Sequence, residues 1–314
     1  MPTTTEKTHA ELMEGQYKSR GFVQFGLMER GHYRWIKSVH ITERAVQKVL
    51  NEKVLGPVFG PSLIYDNGAC QKGKGTDFAL DRLEHHLRHH FRKYGQEGGI
   101  VLFDFSGFFD SIPKAVLTPA AVRKIVTEKI CELYRLFVDA FGEIGLGLGS
   151  EISQISAVFF GNPIDHYFKD AAGVKGYGRF MDDGYIIHHD MGFLRKCLAK
   201  LREIAEKIGL KLNEKKTKIV RLVHQFSFLK MRIRLTETGK VIRRLARKNI
   251  TKRRRLLRKF KALVDAGEMA ISSVIESFTA WLGHASRARS YKTVKAMKKL
   301  FANLFGKEIL LLCS

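Results

Sequence analysis

The sequence predicts an α+β fold that ends in a separate helical subdomain. Three patterns carry this expectation. Apolar residues recur at helical spacing through much of the chain, a few short and strongly apolar strands fall in its middle, and a basic helical tail follows them. No low-complexity linker or internal repeat divides these parts.

The first 30 residues read as polar and helical. In HITERAVQKVLNEKVLGPVF, Val46, Val49, Leu50 and Val54 share one helical face. YDNGACQKGKGTDFALDRL is a Gly- and Lys-rich loop entering a helix that continues through EHHLRHHFRKYG. Within that helix His85 and His89, and His86 and His90, stand four apart, a spacing compatible with a metal ion. No Glu or Cys completes a zinc set by pattern, so RNA contact or a solvated face is expected instead. GGIVLFDFSGFFDSIP supplies an apolar strand over 100–103 that ends in Asp104, and an unbroken apolar run suits a strand buried on both faces. Beyond the glycine loop GLGLGS, Ile152, Ile155, Phe159, Ile164 and Phe168 mark a helix, bent or interrupted at Pro163. KGYGRFMDDGYIIHHD reads as strand, turn, strand. Phe193, Cys197, Leu201, Ile204 and Ile208 then give a helix stopped by Gly209. TKIVRL and FSFLKMRIRL are short strands. The remainder is read as helical, with one apolar stripe over Leu256, Leu257, Phe260, Leu263 and Val264, and another over Ile271, Val274, Ile275, Phe278, Trp281 and Leu282.

At 314 residues and 45% hydrophobic composition the chain can bury a real core, as two or three subdomains or as one continuous catalytic body. Lys and Arg number 55 against 31 Asp and Glu, a net charge of +24. That excess favours a polyanionic partner, nucleic acid first. Residues 240–261, KVIRRLARKNITKRRRLLRKFK, carry 12 Lys or Arg and no acid. Read as a helix with one apolar side, this stretch would follow a phosphate backbone with its charged side. Cys70, Cys131, Cys197 and Cys313 lie far apart without a C-x-x-C pair, so reduced, structural thiols are expected rather than a zinc ribbon. The polar N-terminus lacks the apolar core of a signal peptide, and no apolar run approaches the ~20 residues of a membrane span. A cytoplasmic protein with no membrane partner is the expectation.

The adjacent carboxylates Asp182 and Asp183 lie between apolar and aromatic runs. Like charges side by side repel, and burying them is costly unless a cation joins them. They are therefore either an acidic turn or a divalent-cation site. If their strands neighbour the one ending in Asp104, three carboxylates converge at one sheet edge. Hard oxygen ligands without His or Cys favour Mg²⁺ over zinc.

The surrounding motifs resemble those of reverse transcriptases. FMDD within a hairpin is similar to the family's Y/F-x-D-D signature, and FDFSGFFDSI to its first catalytic motif. LGSEISQ, 148–154, resembles the motif opening the next palm helix. GLKLNEKKTKI resembles the Leu-Asn…Lys-Thr motif, and FSFLKMRI the primer-grip hairpin, with Lys230 where the family usually has Gly. YRWIKSVHITERAVQ resembles the fingers segment of group II intron and related bacterial enzymes. These matches stand in family order over about residues 34 to 235.

The resemblance implies a right-hand polymerase fold: an N-terminal extension and fingers over 1–95, a palm over 96–238, and a basic helical thumb over 239–314. It implies an RNA-directed DNA polymerase using two Mg²⁺ ions, for which Mn²⁺ can substitute, together with dNTPs, an RNA template and a DNA primer or product. Asp104, Asp182 and Asp183 would hold the metals, with the carbonyl of Phe105 completing a coordination shell. Phe109, five positions after Asp104, matches the aromatic steric gate that favours dNTPs over rNTPs. Arg34, Lys37, Arg44, Lys72 and Lys74 would face the triphosphate. Lys216 matches the lysine that can act as general acid near pyrophosphate. Gln154 would sit near the nascent base pair. Arg179, Lys230, Arg247, Lys248, Lys252, Arg254, Arg255 and Arg258 would contact nucleic acid.

The motif at Ser150 reads L-G-x-x-x-S-Q, where retron and intron enzymes usually read Q-G-x-x-x-S-P. That variant resembles enzymes of diversity-generating retroelements and some defence-associated bacterial relatives. The expected biological setting is thus a bacterial or phage retroelement or defence system with a dedicated structured RNA, joined by an accessory protein or a second copy of the chain. A template-independent or protein-primed polymerase of an anti-phage system, and a non-catalytic nucleic-acid-binding scaffold, are the competing readings.

Overall fold

The computed structural model describes residues 4–29 and 32–313, without the side chains of Glu29, His32 and Arg34. Among the described residues near the N-terminus only α1 (Thr4–Met13) is helical. The segment FVQFGLME instead forms β1 (Phe22–Glu29), antiparallel to β2 (His32–Val39) with Phe22 opposite Val39. This corrects the helical reading of the first 30 residues. Val23, Phe25 and Leu27 recur at the period of two that belongs to a strand, and β2 gives them a pairing partner.

Contacts gather the chain into two units, 1–86 with 99–219 and 87–98 with 220–314. In the first, α2 (Ile41–Leu50) continues through a wide turn, Asn51–Leu55, into Gly56–Phe59. A glycine-rich loop leads into α3 (Thr76–Tyr94), the helix that carries the histidines. Strand β3 (Gly99–Asp104) is buried at every position, as its unbroken apolar run predicts. Two short helices, Phe108–Ser111 and Lys114–Val122, precede α4 (Glu128–Asp139). Helix α5 (Glu151–Phe160) starts where the Ser150 hydroxyl accepts from the Ser153 amide at 3.3 Å, and Pro163 opens a separate turn, Asn162–His166.

Strands β4 (Gly176–Phe180) and β5 (Asp183–His188) form the expected hairpin. Helix α6 (Met191–Lys207) follows and ends at Gly209, whose φ of +81° suits a left-handed cap. With β6 (Lys218–Arg221) the sheet order is β4-β5-β3-β6, and β5 runs antiparallel to both β4 and β3. Phe103, Phe105, Phe108, Phe168 and Tyr177 belong to the core on which this sheet rests.

The second unit has a three-stranded sheet in the order β7 (Phe226–Phe228), β8 (Met231–Leu235), β9 (Val241–Leu245). Strand β9 corrects the reading of 240–261 as one helix. Val241 and Leu245 are buried and lie opposite Leu235 and Met231, so pairing with β8 outweighs the helix-compatible arginines between them. The helical part starts at α7 (Arg247–Asp265) and continues as α8 (Ile271–Ser286) and α9 (Tyr291–Phe305) around Leu257, Val274, Phe278, Met297, Phe301 and Cys313. The four cysteines are free thiols. Among the described residues no helix is long and apolar enough to cross a membrane.

Candidate active site

Register places the key carboxylates together. Asp104, last in β3, lies directly opposite Asp183, first in β5. Asp182 is the second of two residues turning the β4–β5 hairpin, and the first, Met181, has a left-handed φ of +55°. The Phe105 amide donates to the Asp182 carbonyl at 3.2 Å, which ties the turn to the chain leaving β3. Gly184 is required beside it, because a Cβ there would come within 2.1 Å of the Phe103 ring. The Asp104 carbonyl accepts from the Asn213 amide at 2.8 Å, and this contact brings in the segment that carries Lys216. The Lys216 Nζ donates to Asp104 Oδ2 at 2.7 Å.

Asp104 is buried, and the Asp183 carboxyl shares a hydrogen bond with it. Burial first, then the charges of Asp182 and Asp104, push the Asp183 carboxyl up to about 7, with Lys216 pulling the other way. Burial alone would lower Lys216, but its hydrogen bond to Asp104 and the neighbouring carboxylates hold it above the usual lysine range. Among the described residues no three His, Cys, Asp or Glu side chains are gathered closely enough to grip an ion as they stand. The donor chemistry nevertheless fits a hard divalent cation. Two carboxylates meet at a strand end, one of them held toward its neutral form by burial and the neighbouring acids, with Lys216 paired to the other.

The other expected residues divide. Phe109 is half-buried beside this cluster's strand end, edge-on to Phe108, with its carbonyl accepting from the Leu146 amide at 2.8 Å. Gln154 is exposed at the start of α5, and its Oε1 accepts from the Cys70 thiol at 3.6 Å. Lys72 is exposed on the glycine-rich loop, and Arg44 is exposed with a hydrogen bond to Ser38. Lys37 lies over the rings of Phe22 and Phe141, while its amide bonds the Leu148 carbonyl at 3.0 Å. The side chain of Arg34 lies outside the described residues. Lys230 is exposed at the β7–β8 turn, and Arg247, Lys248, Lys252, Arg254, Arg255 and Arg258 are all exposed on α7.

Three expectations need correction. Arg179 does not reach solvent; its side chain has 0% exposure, so it cannot touch nucleic acid in this structure. It pairs with Asp165, which sequence reasoning missed, because nothing local marks a carboxylate after Pro163 as the partner of an arginine fourteen positions later. Lys74 turns back to donate to the carbonyls of Tyr65 at 2.8 Å and Asn67 at 3.1 Å, so it braces its own loop rather than facing outward. The histidine face is not solvated throughout. His86 is buried, with Nδ1 against the Tyr185 hydroxyl at 2.9 Å, and burial pushes it down to about 3. His90 is buried against the Glu97 carbonyl.

Residues 18–233 match the family described as reverse transcriptase (RNA-dependent DNA polymerase). No match was found among curated protein sequences. Among solved structures the chain is similar to telomerase from Candida albicans in complex with a fragment of telomeric RNA, with a TM-score of 0.56 at 12% identity over 96% of this chain and 64% of that one. It is also similar to apo telomerase from Candida tropicalis, with a TM-score of 0.56 at 13% identity over 96% of this chain and 63% of that one. A form of the latter truncated from its C-terminal domain gives a TM-score of 0.54 at 15% identity over 76% of this chain and 59% of that one. The chain thus spans under two thirds of these neighbours, and the likeness supports the right-hand polymerase fold alone. The family match covers more than half of the sequence and includes both strand-end carboxylate motifs, so this chain belongs to the reverse transcriptases, the RNA-directed DNA polymerases.

Proposed function

We propose that this polymerase copies a dedicated structured RNA for a bacterial or phage retroelement or defence system. Two Mg²⁺ ions would be held by Asp104, Asp182, Asp183 and the Phe105 carbonyl, with Mn²⁺ as a substitute. The observation that carries the chemistry is the register of Asp104 against Asp183, with Lys216 bonded to the same carboxylate. Bound there, the cations would supply the charge that lets a primer 3′-hydroxyl ionise near neutral pH and that stabilises departing pyrophosphate.

The chain's own groups do the rest. Lys216 neutralises Asp104 before substrate arrives, and its Nζ is the proton source for the leaving group. The half-buried Phe109 ring would limit space at the sugar's 2′ position. The exposed Lys72 and Arg44, with Arg34 and Lys37, would steer the triphosphate, and Gln154 would lie by the nascent pair. Lys230 and the exposed face of α7 would hold template and primer by their phosphates. One fold neighbour is a telomerase in complex with a fragment of telomeric RNA, which fits an RNA partner for this chain. The L-G-x-x-x-S-Q motif favours the retroelement or defence setting, in which a cytoplasmic enzyme would work with an accessory protein or a second copy.

The test is primer extension on RNA and DNA templates. Wild type should incorporate dNTPs on RNA, and Asp104→Asn and Asp183→Asn should each lower kcat by at least about a thousandfold. Incorporation without added template or primer would favour the protein-primed reading. Duplex binding with no incorporation would leave the scaffold.

A further inference from the structure

The Arg179 side chain makes four hydrogen bonds without touching solvent. Its Nε meets Asp165 Oδ1 at 2.8 Å, and its Nη2 meets Asp165 Oδ2 at 2.7 Å and the Val158 carbonyl at 2.7 Å. The fourth runs from Nη1 to the Met181 carbonyl at 2.9 Å. Met181 is the left-handed residue of the turn that presents Asp182 and Asp183. A guanidinium therefore grips the strained peptide immediately before both carboxylates.

The surroundings are built for this group. Asp165 is fully buried and also accepts from the Tyr177 hydroxyl at 2.6 Å and the Asn67 side-chain amide at 3.2 Å. Gly161 gives the guanidinium room, since a Cβ there would lie 2.3 Å from Arg179 Cζ. The backbone of Arg179 holds the glycine-rich loop as well. Its carbonyl accepts from the Gly68 amide at 3.0 Å, and its amide donates to the Asp66 carbonyl at 3.2 Å. Lys74 and Gln71 of that loop both donate to the Asn67 carbonyl. One arginine thus joins the basic loop 66–74 to the carboxylate turn.

We infer that the buried Arg179–Asp165 pair is a positioning device, in which the guanidinium fixes the Met181 carbonyl and so sets the turn that presents Asp182 and Asp183, while its backbone anchors the loop expected to meet the incoming nucleotide. This rests on the polymerase reading above. A buried ion pair is seldom kept for stability, since a well-packed apolar pair of similar volume does as well or better. Such a pair could supply neither the bond to the turn nor partners for the Tyr177 hydroxyl, the Asn67 amide and the Val158 carbonyl, and of these only the first reaches the carboxylates.

The test compares Arg179→Lys, Arg179→Met and the double variant Arg179→Met/Asp165→Leu with wild type. The double variant removes both charges and keeps volume but strands the Tyr177 hydroxyl and the Asn67 amide, so its melting temperature should fall by several degrees while the chain stays folded and cooperative. Its kcat should still fall about 30-fold or more, while its Kd for a primer–template duplex changes less than twofold. Amide hydrogen exchange of a peptide spanning 176–188, read without metal or substrate, should rise at least tenfold in Arg179→Met and the double variant. Arg179→Lys can keep one of the bonds, so it should recover part of both kcat and protection. A folded double variant with wild-type kcat and wild-type exchange would overturn the inference. So would losses in kcat that merely parallel losses in duplex binding. If wild type itself incorporates no dNTP, the polymerase reading fails, while the exchange data still judge the turn.

Discussion

At the scale of single residues, Leu229 and Lys230 both hold left-handed backbone, with φ of +45° and +66°, in the two-residue turn joining Phe228 to Met231. Tight hairpins favour this geometry, but it costs a side-chain-bearing residue about 1 kcal/mol or more relative to glycine. The lysine that interrupts the family's F-L-G pattern therefore sits against local strain, with its side chain exposed. Lys230→Gly should raise the free energy of unfolding by about 1 kcal/mol in a denaturant titration and should weaken primer–template binding at low salt. Asp183 supplies a second residue-scale expectation. Its carboxyl is raised to about 7, so the folded state holds the proton more tightly than the unfolded chain does. The contribution of Asp183 to stability without divalent cations should then be greatest at low pH, fall from about pH 4 to pH 7, and stay at the lower level above that. Asp183→Asn should flatten this decline in melting curves recorded with a chelator, and added Mg²⁺ should oppose it in wild type alone.

At the scale of elements, α7 shows how one run of like residues divides between jobs. Arg254 and Arg255 are exposed, whereas Arg253 beside them is buried against the Phe278 ring. Its Nη1 reaches the Ser277 hydroxyl at 3.0 Å, but Nε and Nη2 have no partner, and burial pulls its basicity down to about 10. Arg253→Met should keep the packing, remove the buried charge and stabilise the protein by roughly 1–2 kcal/mol, with duplex affinity nearly unchanged. Arg254→Gln and Arg255→Gln should do the reverse. Nothing in KRRRLLRK separates these arginines except phase: Arg253 lies four before Leu257, on the apolar stripe. The same limit explains which elements were legible. Strand β3, the carboxylate hairpin and the helix ended by Gly209 follow from local pattern and backbone rules. Strands β1 and β9 were misread because a strand's partner lies elsewhere in the chain, and the Asp165–Arg179 pair is hidden for the same reason. The Asp104–Asp183 site was legible only because sequence motifs stood in for the missing distance information.

At the scale of the whole chain, the excess charge makes a quantitative demand. A net charge of +24 attracts any nucleic acid, so affinity alone cannot identify the surface used. Salt dependence can, because each phosphate neutralised releases counterions and adds roughly 0.9 to the slope of log K against log salt on a duplex. If Arg247, Lys248, Lys252, Arg254, Arg255 and Arg258 of the exposed α7 face all engage phosphates, replacing them with Gln should lower that slope by about 5. A slope change below about 1 would mean that α7 is only a solvated basic face. Binding should be measured by fluorescence anisotropy on an RNA–DNA duplex from ~50 to ~300 mM salt, a range in which such a slope is resolved. The same six-residue variant should keep its fold, since the core of Leu257, Val274, Phe278, Met297 and Phe301 takes nothing from that face. Its kcat at saturating duplex should match wild type, because the carboxylate turn, Lys216 and the Arg179 pin lie in the other unit. Retention of kcat with loss of the salt slope would separate the holding of nucleic acid by α7 from the chemistry at Asp104 and Asp183.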